Sequence, residues 1–304
     1  MRSVSFTPKT LGILSIIFAS FLWGTTGVSA TFAPDVNALA IGAAAMGIGG
    51  LLQAGLAVGS IRQHYSQLQA QRRYYLLGAL TVAIYPLAFY SSMRLAGVTI
   101  GTVISIGAAP ILSFLIEMVM EQARLTRRWL GATALGLTGI IFLCLADNST
   151  LPINPAQTQL TLGIMLGLLA ALTYAMYSWA ARRLMQQGVP SRAAMGTIFG
   201  LGGMLLMPVL FFTGAAFLDS WQNLTVGLYM ALIPMFLGYV CFGYGLAHVQ
   251  SSTAITISLI EPMIAALLAV VIVGERLTSL GWIGITLIIF CLVCITWPNR
   301  ADKS

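Results

Sequence analysis

The 304-residue sequence predicts an all-α integral membrane protein: ten transmembrane helices in two inverted five-helix repeats, with both termini cytoplasmic. Three observations carry that expectation. Charge is nearly absent, the apolar residues fall into runs of membrane-spanning length, and the two halves repeat weakly. Hydrophobic residues make up 58% of the chain and charged residues only 8%. A soluble domain carries roughly 25% charged residues because it has a surface to cover. Here the deficit is explained by helices of about 20 apolar residues, each able to cross roughly 30 Å of hydrocarbon.

The predicted spans of the first half are Leu11–Phe32, Asn37–Ser60, Tyr74–Met93, Val98–Val119 and Trp129–Leu145. Those of the second are Leu160–Ala181, Ala193–Leu218, Leu224–Ala247, Thr253–Val273 and Leu280–Trp297. The first exceeds the 7–15 apolar residues of a signal peptide and reads as a retained helix. The runs are apolar on every side, whereas β-barrel strands alternate over about ten residues. Of the 15 Lys and Arg residues, all but Arg94 and Arg276 fall in loops or tails that lie inside if the N-terminus does. Positive charge marks cytoplasmic loops, so both termini are expected in the cytoplasm. The net charge of +7 then serves topology, and no nucleic-acid partner is expected.

Cys144, Cys241, Cys291 and Cys294 all lie in apolar runs. Cys291 and Cys294 have the spacing of a redox or zinc pair, but no second ligand pair accompanies them. They read as small apolar residues of a helix. No metal site and no cofactor is expected.

The expected organisation is a first repeat over residues 11–146, a periplasmic linker over 147–159 and a second repeat over 160–297. Gly12 to Thr26 aligns without a gap on Gly163 to Tyr177, placing Trp23 opposite Tyr174. Gly47–Gly50 corresponds to Gly200–Gly203, Leu95–Val98 to Leu246–Val249, and Pro110 to Pro262. An odd number of helices per repeat makes the second copy enter from the other side. Halves related in this way can alternate a midplane site between the two faces, as secondary transporters do.

Glu261-Pro262, Gly274-Glu275-Arg276-Leu277-Thr278 and then Gly281 or Gly284 on the last helix resemble the closing signature of EamA-like members of the drug/metabolite transporter superfamily. Leu22-Trp23-Gly24 and the Pro110–Thr126 segment resemble the matching parts of the first repeat. The resemblance spans nearly the whole chain. It implies a carrier of the cell's inner membrane that moves small metabolites, often exporting amino acids or related compounds. It also implies a central cavity lined mainly by helices one, three, four, six, eight and nine. One departure stands out: the first repeat has Ala109 opposite Glu261 and Ala123 opposite Glu275.

Glu261 lies about nine residues into the ninth helix, roughly 13 Å deep at 1.5 Å per residue. A charge there costs about 2.5–3.5 kcal/mol on insertion scales, so it needs a cavity, a partner or a proton. Pro262 has no amide hydrogen and clashes with the Ser258 carbonyl, which predicts a kink and a free carbonyl. Pro110 is its counterpart. Glu117 is expected near the cytoplasmic end of the fourth helix, within reach of water or Arg124. Trp23, Tyr85, Phe89, Tyr90, Tyr174, Tyr177, Trp179 and Tyr244 lie on helices one, three, six and eight, and their polar tips want partners away from the interfaces. Ser105, Thr256 and Ser258 are further cavity candidates, although hydroxyls on membrane helices often bond only their own backbone. The substrate-binding set is therefore Trp23, Tyr85, Tyr90, Ser105, Tyr174, Tyr177, Tyr244, Thr256, Ser258 and Glu261, with Pro110 and Pro262 as kink points.

The function expected is secondary transport of small organic metabolites by alternating access, in the direction of export. Proton coupling through Glu261 and facilitated diffusion both fit. A channel is the alternative. An intramembrane enzyme is a further one, but it would need a nucleophile with its base, or a metal cluster, at depth. Nothing in the sequence fixes the oligomeric state.

Overall fold

The computed structural model describes residues 7–146, 157–274 and 276–297. Most of the expected linker, and Glu275, lie outside the described residues. Among the described residues, ten helices are long and apolar enough to cross a membrane. In order they are α1 (Pro8–Thr31), α2 (Ala38–Gln63), α3 (Arg72–Ala96), α4 (Val98–Glu121) and α5 (Arg127–Ala146). The second half supplies α6 (Gln157–Gln186), α7 (Ser191–Thr213), α8 (Trp221–Leu246), α9 (Ser251–Ile272) and α10 (Ser279–Thr296). A short helix, Tyr65–Ala70, bridges α2 and α3.

Several helices start on side chains that take up a free amide. Thr7 accepts from Thr10 N–H ahead of Pro8, and Asn37 accepts from Leu39 N–H. Ser220 does the same for α8 and Thr278 for α10. Each removes one of the four amide groups a helix start leaves unpaired. At the turn between α3 and α4 only Gly97 intervenes, and its φ of 88° is a conformation that glycine adopts without a Cβ clash.

With short turns between spans, successive helices cross in opposite directions. The N-terminus and the α8–α9 turn therefore lie on one face, called here the N-terminal face. The α1–α2, α3–α4 and α7–α8 turns lie on the opposite face. Helix α2 packs along α7 and α5 along α10, while α3 and α4 pack on α6 and α8 and α9 on α1. Small residues bring the backbones together, since lipid supplies no hydrophobic drive between helices. A Cβ on Gly203 would lie 2.6 Å from the Gly47 carbonyl oxygen, and one on Gly139 2.7 Å from the Gly284 oxygen. Gly163 and Gly167 receive α3 and α4 at Ala96 and Ile104. A Cβ on Gly55 or Gly59 would meet no other helix within 4 Å among the described residues.

Two helices are irregular where the site forms. Helix α8 widens to π-helical geometry over Ala231–Leu237, around Pro234, which has no amide to close the bond to Met230. Side chains of other helices take up the carbonyls of that turn: Trp23 Nε1 donates to Pro234 O at 2.9 Å, and Gln53 Nε2 to Met235 O at 3.5 Å. Helix α9 is interrupted at Ser258–Leu259, between Ser251–Ile257 and Ile260–Leu268. The Ser258 carbonyl, expected to be free, accepts the Glu261 amide at 2.9 Å. One tighter turn absorbs what Pro262 removes. Pro110 behaves differently: α4 runs through it unbroken.

Candidate functional site: an aromatic cavity at Glu261

A central cavity lies between α1, α2, α3, α4, α6, α8 and α9. Glu261 enters it from the first turn after the α9 interruption. Trp23 and Thr26 come from α1, Tyr85, Phe89 and Tyr90 from α3, Tyr174 from α6, and Tyr239 and Met235 from α8. Gly42, Ala45 and Met46 show that α2 also lines the wall, which the family resemblance did not imply. The free volume is about 40 Å³. Sites for drug-sized ligands are roughly 300–1,000 Å³, so the cavity has room for a few waters and not for such a ligand.

The rings form a connected wall. Tyr85 stacks on Phe89 with centroids 5.6 Å apart and meets Tyr174 at the same distance. Trp23 meets Tyr239 at 4.8 Å. The Trp23 ring is held by the Pro234 bond and by Gly238, where a Cβ would lie 2.8 Å from Nε1. Its N–H is therefore spent on the protein and only the ring faces the cavity. Gly24, the next residue, lets α1 reach the α9 interruption: a Cβ there would sit 3.0 Å from the Glu261 carbonyl oxygen.

Five of the expected binding residues thus share one cavity: Trp23, Tyr85, Tyr90, Tyr174 and Glu261. The others are placed elsewhere. Ser258 donates to Ile255 O at 2.8 Å, so at 2.9 Å it can only accept from the Tyr174 hydroxyl. It positions a wall residue and does not line the cavity. Thr256 donates to Ser252 O and is approached by Thr133 across a buried contact with α5. Tyr177 lies beneath the wall, its hydroxyl 2.8 Å from that of Tyr239. Ser105 is fully buried on α4 away from the lining, with no hydrogen-bond partner for its hydroxyl among the described residues. Tyr244 is 40% exposed and rests on His248 at 4.6 Å. Five residues beyond Tyr239, it is turned about 140° around α8 and away from the cavity. Trp179 is also outside it, donating to Glu121 at 2.9 Å.

Two charged residues form a second feature at the N-terminal face. Glu117 is not at the water: it is 1% exposed and accepts both the amide and the hydroxyl hydrogen of Ser252, in the first turn of α9. It replaces the cap that Gln250 does not provide. Arg182 of α6 donates to the carbonyls of Leu246 and Val249, where α8 ends. A carboxylate thus meets the positive end of one helix and a guanidinium the negative end of its neighbour, the favourable sense for both helix dipoles. Neither contact was legible in the sequence, because each joins residues more than 60 positions apart.

The fold is that of a multi-pass membrane protein, and the family comparison places it in the transporter class. The model of the EamA-like transporter family matches residues 10–145 and 161–297, and the chain belongs to that family. It is 33% identical over 292 residues to the uncharacterized transporter YwfM of Bacillus subtilis, covering 96% of this chain and 95% of that one. It is 24% identical to the inner membrane transporter YicL of Salmonella typhimurium, with 95% and 96% covered. A probable amino-acid metabolite efflux pump of Salmonella typhimurium is 26% identical over 60% of this chain and 62% of its own. One solved crystal structure superposes with a TM-score of 0.77 at 18% identity, covering 96% of this chain and 99% of that chain, and so shares the fold.

Proposed function

We propose that the chain is a secondary transporter that carries a small organic metabolite out of the cell across the inner membrane by alternating access, with the Glu261 cavity as its binding site. The observation that carries this reading is a lone acid set at the interruption of a membrane helix, inside an aromatic cavity contributed by both halves of the chain. The helix pairing supports it. If α1–α5 correspond to α6–α10, then exchanging the halves maps α2–α7 and α5–α10 onto themselves and the α3–α6 contact onto α8–α1. The names of the relatives support an inner-membrane location and an amino-acid-like cargo.

Glu261 is the only charged residue of the lining, whose other titratable groups are Tyr85, Tyr90, Tyr174 and Tyr239. It is therefore the group through which a proton would be coupled. Counterflow into proteoliposomes tests the reading: a carrier gives saturable uptake accelerated by substrate on the far side, and a channel gives neither. Glu261→Gln is expected to flatten the pH dependence of uptake and to lower its rate at least tenfold. Unchanged uptake with an unchanged pH profile removes Glu261 from the mechanism.

A further inference from the structure

We infer that the cavity selects an organic cation, a small amine with an aromatic or branched apolar body and no carboxylate. This rests on the carrier reading and, among compounds related to amino acids, favours the amine that lacks the carboxylate over the zwitterion. The lining holds one carboxylate and no Lys, Arg or His. Among the described residues the Glu261 side chain has no hydrogen bond or ion pair, so its charge is not already matched by the protein.

The remaining surface favours the same charge. Six rings, Trp23, Tyr85, Phe89, Tyr90, Tyr174 and Tyr239, line the space around the acid. Aromatic faces attract a cation, and the attraction is strongest where water is excluded. The wall offers an anion no cation, only uncharged donors such as the Tyr85 and Tyr90 hydroxyls. The Trp23 N–H goes to Pro234, the Thr26 hydroxyl to the Trp23 carbonyl, and the Tyr174 hydrogen to Ser258. An amino-acid zwitterion would bring a second carboxylate into this space with no cation to receive it. At low dielectric, two like charges held close oppose each other strongly. Its ammonium end suits the site and its carboxylate end does not. A body of rings and branched carbons fits the apolar remainder, Met46, Ile106 and Met235.

The test uses probes that share one ring and differ in charge: phenethylamine, phenylalanine, phenylacetate and 2-phenylethanol. A branched amine, 3-methylbutylamine, checks the need for the ring. Thermal stabilisation of the purified full-length protein in detergent reports binding, because a ligand of the native state raises its midpoint. The amines are expected to stabilise at concentrations at least tenfold below the zwitterion, the anion and the alcohol. Glu261→Gln is expected to erase that ranking and Glu261→Asp to keep it. Equal stabilisation by phenylalanine, phenylacetate or the alcohol overturns the inference, as does the absence of stabilisation by either amine. If Glu261→Gln does not fold, the wild-type ranking decides alone. Counterflow separates the two readings. Amine binding without trans-stimulated exchange sinks the carrier and leaves the cation site standing. Exchange of phenylalanine in preference to phenethylamine sinks the cation and leaves the carrier standing.

Discussion

Glu117 satisfies two donors of Ser252 from a different helix, in a place that water does not reach. Removing it leaves a buried amide and hydroxyl unpaired, each costing about 1–3 kcal/mol. Glu117→Ala is therefore expected to lower the thermal midpoint in detergent clearly, and Glu117→Gln, which keeps an acceptor, to lower it less. Equal midpoints for Ala and wild type would show that the bond contributes nothing. The residue also marks what a sequence withholds. Its depth along α4 can be counted from the chain, but its partner lies 135 residues away, and only packing reveals that the carboxylate faces a helix start and not the water. Glu261 was legible for the opposite reason: a charge in a long apolar run is conspicuous whatever surrounds it.

At the scale of the helix, the spans could be read because length and hydropathy suffice to find them. Which stripe of each helix faces the cavity could not. A helix that is apolar all round has no preferred face in its sequence, so Tyr239 and Tyr244 look equivalent there. The 140° between them decides that one lines the site and the other rests on His248. The same ambiguity covered the glycine stripes, where Gly196 and Gly200 pack on Ala57 and Ala54 of α2 while Gly55 and Gly59 meet no other helix among the described residues. A contrast follows. Gly203→Ala would press a methyl group against the rigid carbonyl of Gly47 and cost about 1–3 kcal/mol by overpacking. Gly59→Ala would be neutral. The yield of monodisperse protein on size-exclusion chromatography checks both, and equal yields would mean that the α2–α7 crossing relaxes freely.

For the whole molecule, an even number of spans would put both termini on one side, and the distribution of Lys and Arg proposes the cytoplasm as that side. Reporter fusions active only in the cytoplasm are expected to work at both ends, and activity at neither would invert the topology. The cavity and the charged contacts occupy different levels of the bundle. Glu261 and its rings lie between the helices at depth, while Glu117 and Arg182 hold the α8–α9 turn at the N-terminal face. By the offset between the two halves, Glu117 of the first aligns with Ala269 of the second and Arg182 of the second with Thr31 of the first, so neither charge has a charged counterpart. Under the proposed alternating access, parting the helices at the N-terminal face would be a wetting transition. Water would have to reach a carboxylate and a guanidinium together before that turn moved, whereas the described side-chain bonds at the opposite end of α1 and α8, Gln222 to the Phe32 carbonyl and Thr25 with Tyr229, are uncharged. The two half-cycles of such a machine would then differ in activation barrier, and its slow step would be the one that hydrates those charges.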